Sequence, residues 1–220
     1  MNNSIDISMA LDYRRACGRL GLTLIPVRGH EKMLASVPYT AMEDLALIYK
    51  VELGPADSII IDQAMLEGYG VGFEKLREDA LLSAPRRHPC VIRSLAGSMR
   101  DLMENTGEEE SCIEDTSWFD EEAAVSVYTA TTVEMCMGAC VIAYPGMLEK
   151  ASVMMGGDFF ILPSSIHEVL LVKACEADCR HLIEIVSEVN RTVVDRRDWL
   201  SDNVYYYAAG TGDFMTAGVL

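Results

Sequence analysis

The residues with the most chemical promise lie close together in Ser164-Ser165-Ile166-His167-Glu168. Hydroxyl, imidazole and carboxylate are the groups of a hydrolytic triad, where the imidazole takes a proton from the nucleophile and the acid orients the imidazole. Spacing argues against that use within this run. Two apolar runs, Phe159–Leu162 and Val169–Val172, flank Pro163-Ser164-Ser165, the pattern of a β-hairpin turning at those three residues. Side chains alternate across a strand, so Ile166, Glu168, Leu170 and Val172 share one face and His167, Val169 and Leu171 the other. His167 and Glu168 then point apart. Ser165 falls on the His167 face, but residues two apart on a strand have Cβ atoms about 6.5–7 Å apart, beyond the reach of a nucleophile and its base. The serines are expected to close the turn by bonding backbone groups, and His167 to satisfy a polar contact at a sheet edge. A catalytic His167 needs a partner from another segment, with Glu134, Asp158 and Asp202 as candidates. In that arrangement the protein is a small hydrolase with His167 as general base and Ser164 or Ser165 nearby.

The pairs Cys136/Cys140 and Cys175/Cys179 suggest a four-thiolate zinc site. Structural zinc sites more often separate paired cysteines by two residues, and an extended 136–140 segment would hold its sulfurs roughly 13 Å apart. The cysteines are expected to pack as small hydrophobes, with no metal and no cofactor. The chain has seven cysteines, and its first residues, MNNSIDISMALDYRR, lack a basic start followed by an apolar run. Reduced thiols in a cytoplasmic protein are expected.

Gly68-Tyr69-Gly70-Val71-Gly72 is similar to a phosphate-binding loop. However, a helical turn separates it from the preceding strand, and no Lys-Ser/Thr follows. It reads as the connection between two helices. Carboxylates are plentiful, but none form a D-x-D pair at a strand end. Trp118-Phe119, inside an acidic stretch, is a candidate contact, docking on its own domain or on a partner. Tyr205-Tyr206-Tyr207 reads as strand with alternate rings buried.

The elements positioning these residues follow from periodicity and punctuation. Ser4 or Asp6 caps a helix over Met9–Arg19, and Leu20–Val27 is a strand. Tyr39–Leu53 is expected to be helical, with Met42, Leu45, Ile48 and Tyr49 on one stripe and Gly54-Pro55 as its stop. Ser58–Ile61 is a strand; Gln63–Tyr69 and Phe73–Leu82 are helices; Pro85–Pro89 breaks the pattern; Val91–Met103 holds a short helix. Beyond the acidic stretch, Val125–Thr129 and Ala139–Tyr144 are expected strands. Pro145 starts a helix that Gly156-Gly157 ends. The hairpin, a helix over Asp178–Asn190 and a strand at Asn203–Tyr207 complete the pattern. The expected fold is α+β: a mixed sheet with a C-terminal strand-strand-helix-hairpin-helix-strand unit and a helix-rich N-terminal portion. The expected divisions are 1–103, an acidic loop or linker at 104–123, the α+β unit at 124–208 around the 157–173 hairpin, and a mobile tail at 209–220.

Charge narrows the function classes. The formal charge is -16, and between Asp101 and Glu149 twelve acids occur with no Lys or Arg, ten of them by Glu122. Such a surface repels nucleic acid and anionic lipid. No run approaches the eighteen apolar residues of a membrane span.

VPYTAMEDLALIY (Val37–Tyr49), YPGMLEKAS (Tyr144–Ser152), GGDFFILPSSIHEVLLV (Gly156–Val172), VNRT (Val189–Thr192) and LSDNVYYY (Leu200–Tyr207) occur here in order. Together they resemble a bacterial domain-of-unknown-function family common in Clostridia-type genomes, and ILPSSIHEV is the most specific part of the match. The resemblance implies no activity, cofactor or catalytic residue. Members carry more chain before the first matched segment, so this chain is expected to be a shortened version. The leading expectation is a non-enzymatic cytoplasmic binding or interaction domain, contacting a basic protein partner through Trp118 and Phe119. The hydrolase above is one alternative; an acidic inhibitor or toxin-neutralising protein, its charge mimicking an anionic substrate, is another.

Overall fold

The computed structural model describes residues 8–54, 57–95 and 126–218. Trp118, Phe119 and the acidic stretch lie outside them. The fold is α+β, with two antiparallel sheets and helices packed against them. Every strand pairing among the described residues is antiparallel, where a mixed sheet was expected.

Short helices α1 (Ser8–Leu11) and α2 (Tyr13–Ala16) open the described chain; the Asp12 carboxylate caps α2. Strand β1 (Leu20–Pro26) follows, then α3 (Glu31–Leu34). The expected helix over Tyr39–Leu53 is instead a hairpin, β2 (Tyr39–Met42) and β3 (Leu45–Glu52), turning at Glu43-Asp44. The Met42/Leu45/Ile48/Tyr49 spacing suits a helix, but β3 is buried on both faces, and an apolar run of that kind does not reveal its period. The alternation appears once burial is resolved. Leu45, Leu47, Tyr49 and Val51 enter the main core, whereas Ala46 and Ile48 pack with Leu34 and Val37 on the opposite face. β1 pairs with β3 from Leu20↔Val51 to Pro26↔Leu45, and β4 (Ser58–Ile60) pairs with the end of β3.

Helix α4 (Gln63–Tyr69) ends at Gly70, whose φ of 66° is the left-handed geometry of a helix C-terminus. Helix α5 (Phe73–Arg87) runs five residues past the expected stop at Leu82 and includes Pro85. Proline removes one backbone donor, and in the last turn the His88 N–H still reaches the Ala84 carbonyl at 2.8 Å. Leu76, Ala80 and Ala84, four apart, face the core, and the Phe73 ring meets Tyr49 edge-on at 5.6 Å.

The short helix expected over Val91–Met103 is, in its described part, strand β5 (Cys90–Ser94). β5 pairs with β6 (Val127–Thr132) at the edge of a sheet ordered β10 (Asp213–Thr216), β9 (Tyr205–Ala208), β7 (Phe159–Ser165), β8 (Glu168–Lys173), β6, β5. A strand was expected at Ala139–Tyr144; Gly138–Ala143 forms a 3-10 turn instead. Crowding explains it. The amides of Gly138 and Ala139 bond the carbonyls of His167 and Ile166, and a Cβ on Gly138 would lie 2.6 Å from the Thr132 nitrogen. Helix α6 (Met147–Met155) begins two residues after Pro145 and ends at Gly156 in the left-handed region.

The hairpin is β7 (Phe159–Ser165) and β8 (Glu168–Lys173), but its turn is Ile166-His167, not Pro163–Ser165. Pro163 sits at a register shift within β7, where a missing N–H is tolerated. Helix α7 (Cys179–Thr192) lays Leu182 and Val186 on Phe160, Leu162 and Val172. Phe159, Ile161, Val169 and Leu171 face the other way, into the core shared with the first sheet. The tail expected to be mobile contains β10 (Asp213–Thr216), paired with β9 (Tyr205–Ala208), and Phe214 stacks on Tyr205. Tyr205 and Tyr207 are buried, in the alternation expected of the tyrosine run.

The β2–β3 turn fastens the two sheets. Asp44 accepts hydrogen bonds from the Tyr205 hydroxyl at 2.6 Å and the Ser201 hydroxyl at 2.7 Å, while Thr216 donates to Glu43 at 2.8 Å. Glu43 holds a φ of 55°, an unusual setting for a non-glycine residue. Burial, then the bond to Asp44, push the Tyr205 phenol far above its ordinary range. Asp44→Ala strands two buried hydroxyls and is expected to cost about 2–4 kcal/mol in urea unfolding. Tyr205→Phe should cost clearly less in that background than in the wild type; equal costs in both would mean the two side chains are not coupled.

Candidate functional site

Strand alternation builds the site. On the face of the first sheet turned away from the main core lie Gly21, Thr23 and Ile25 of β1 and Ala46, Ile48, Lys50 and Glu52 of β3, with Gly21 opposite Lys50 and Thr23 opposite Ile48. Above this face opens a cleft of about 790 Å³, floored by Ile25, Ile48 and Met33 and continued by Ser58 and Ile60 of β4. One wall is the end of α5, Arg87 and His88; another is the turn after β6, Glu134 to Met137.

At its inner end sits Glu52, with a side chain 7% exposed. The His88 Nε2 lies 2.8 and 2.9 Å from its two oxygens, and the Arg87 Nε donates at 2.8 Å. Lys50 adds its charge at 3.7 Å. Burial pushes this carboxyl up, but the hydrogen bonds from His88 and Arg87 outweigh it and hold Glu52 below its ordinary value. The other ring nitrogen of His88 faces Glu134 at 3.3 Å. Arg86 and Arg87 in the last turn of α5 also suit its dipole. Gly21 is required by proximity: a Cβ there would lie 2.5 Å from Glu52 Oε1.

The residues singled out in the sequence lie elsewhere. His167 sits in the hairpin turn, not on a strand. Its Nδ1 accepts the Met137 N–H at 3.1 Å, so Nε2 carries the hydrogen, and it faces Asp198 at 3.6 Å. Its carbonyl accepts from the Thr131 hydroxyl and the Gly138 amide. The expected partners are placed differently: Glu134 opposite His88, Asp158 bonded by Tyr206 and the Ala209 amide, Asp202 bonded by Asn190 and Trp199. Ser165 Oγ accepts the His167 amide at 3.1 Å, closing the turn. Ser164 precedes it at the end of β7, and Glu168 opens β8.

Of the four zinc candidates, Cys136 and Cys175 are exposed, Cys179 is half-buried and Cys140 is buried. Burial pushes the Cys140 thiol up to about 11 and raises Cys179 as well, so both are neutral thiols at pH 7. Among the described residues no three His, Cys, Asp or Glu side chains converge as a metal site. Gly70 ends α4 and Gly72 caps α5, so the glycine run connects two helices.

Sequence reasoning missed Glu52, Lys50, Arg87 and His88 as a group. The signal was the alternation of Ala46, Ile48, Lys50 and Glu52, hidden by the helical reading. The family comparison covers residues 1–209, both strands of the cleft floor and all of its walls. The chain belongs to DUF5688, a family of unknown function. No curated protein and no solved structure matches it. Among the described residues no helix is long and apolar enough to cross a membrane.

Because Glu52 titrates lower when folded, its contribution to stability is full above its ordinary value near 4.5 and fades as pH falls through the folded value. Glu52→Gln is therefore expected to lower stability at pH 7 by about 1–3 kcal/mol, since the partners left behind are about a third exposed, with the gap to wild type narrowing in acid. Gly21→Ala should cost about 1–3 kcal/mol and clearly less in an E52A background, where only the flexible Lys50 side chain, 3.0 Å from the added Cβ, must move. Chemical denaturation across pH measures both; a pH-independent gap would show that Glu52 is not held as the anion.

Proposed function

We propose that the protein is a non-enzymatic, cytoplasmic binding domain of bacterial origin that takes its ligand in the cleft above Lys50 and Glu52. The observation that carries this reading is the engagement of both candidate imidazoles. A general base must present a free lone pair to the proton it abstracts. In His167 that lone pair accepts the Met137 amide, and in His88 both ring nitrogens face carboxylates. Ser165 is committed to the His167 amide. The cleft meanwhile has the volume and the mix of apolar floor and few polar groups that suit a small ligand.

A second contact is supported by the sequence of the acidic stretch, where Trp118 and Phe119 offer apolar anchors amid negative charge suited to a basic protein partner. The same charge disfavours nucleic acid and anionic membranes as ligands.

Chromogenic esters, amides, phosphoesters and glycosides are expected to show no turnover that depends on His88 or His167. Hydrolysis lost in His167→Ala, with the circular dichroism spectrum unchanged, would replace the binding reading by the hydrolase one.

A further inference from the structure

The cleft gathers cationic side chains that the rest of this acidic chain would not lead one to expect. Against a formal charge of -16, Arg19, Lys50 and Arg87 line it together with His30 and His88. Three carboxylates line it too. Glu52 is saturated by His88 and Arg87, and Glu134 faces His88, while Asp57 stands by β4. Donors remain in excess. Arg87 uses only its Nε on Glu52, so its two terminal nitrogens have no hydrogen-bond partner among the described residues. The Lys50 ammonium makes a 3.7 Å ion pair and no hydrogen bond among them. Beside these donors lies an apolar floor of Ile25, Ile48 and Met33, and Ile60 on the rim leaves 41% of its surface to solvent.

Unused donors on Lys50 and Arg87 beside an apolar floor suit a ligand with the same division. We propose that the cleft binds a small organic acid, its carboxylate on Lys50 and the terminal nitrogens of Arg87 and its hydrocarbon body along Ile25, Ile48 and Ile60. The proposal rests on the binding reading above and adds the ligand's chemical class. Planar carboxylates suit the guanidinium fork, and the buried Glu52 fixes that fork in place through Nε.

The test uses octanoate, octan-1-ol and octylamine, which share a chain and differ in head group, titrated into the full chain and followed by amide NMR shifts and calorimetry. Octanoate is expected to shift the amides of Gly21, Lys50 and Ile60 and to bind roughly tenfold tighter than octan-1-ol, with octylamine weakest. Lys50→Gln should remove most of that preference, and Ile60→Asp should weaken both octanoate and octan-1-ol. Equal binding of octan-1-ol, or preference for octylamine, at the same amides overturns the carboxylate assignment and leaves a binding cleft. Failure of all three to shift cleft amides in the wild-type protein overturns both the assignment and the cleft reading, whatever the variants do.

Discussion

A carboxylate withdrawn from water at the end of an interior strand cannot persist there unpaired, and the arrangement around Glu52 follows from that constraint. Desolvation of a lone charge costs several kcal/mol, so donors must arrive from outside the sheet. They come from the end of α5, which continues past Pro85 far enough to present Arg87 and His88. The neighbouring strand must then make room, and Gly21 does so by having no side chain. His88 in turn meets Glu134, in the turn that leaves the second sheet. One buried charge therefore ties β3, β1, α5 and the turn after β6 into a single electrostatic unit, and the cleft is the space these elements leave between them.

At the opposite end of β3 the β2–β3 turn is held by a second set of polar groups, of which Ser201 and Tyr205 are buried. Asp44 accepts the hydroxyls of Ser201, ahead of β9, and of Tyr205, its first residue, and Glu43 accepts that of Thr216 in β10. The first sheet is thus bonded at one end to α5 and at the other to the last strands of the second sheet. A shared apolar core alone is non-directional; the two polar anchorages supply the register.

Local signals carried much of the architecture. Strands β1 and β4, helices α4, α6 and α7 and the β7–β8 pair were legible from runs, caps and glycines, because each has an unambiguous period or terminator. The Tyr39–Leu53 segment was not, since a strand buried on both faces has no polar alternation to reveal it, and its turn residues Glu43 and Asp44 are also common in helices. Ala139–Tyr144 failed for a related reason. Its apolar run reflects burial at the crowded crossing with His167, where small residues and Gly138 permit a tight 3-10 turn, not extension. The hairpin turn moved by three residues because a proline can sit at a bulge inside a strand as well as in a turn.

The site was less legible than the fold because its members are far apart in the chain and individually ordinary. His167 stood out because serines and an acid adjoin it in sequence, yet adjacency along a strand or turn aims neighbours in different directions. His88 lay in Pro-Arg-Arg-His-Pro, where the prolines suggested a break, and the helix that carries Arg87 runs through the first of them. Chemistry in this chain is assembled by strand alternation and by a helix terminus, and both depend on β3 being a strand. Once it is one, Lys50 and Glu52 must share the face of Ile48, and a cleft with an ionic end and an apolar floor follows from the order of residues along a single strand.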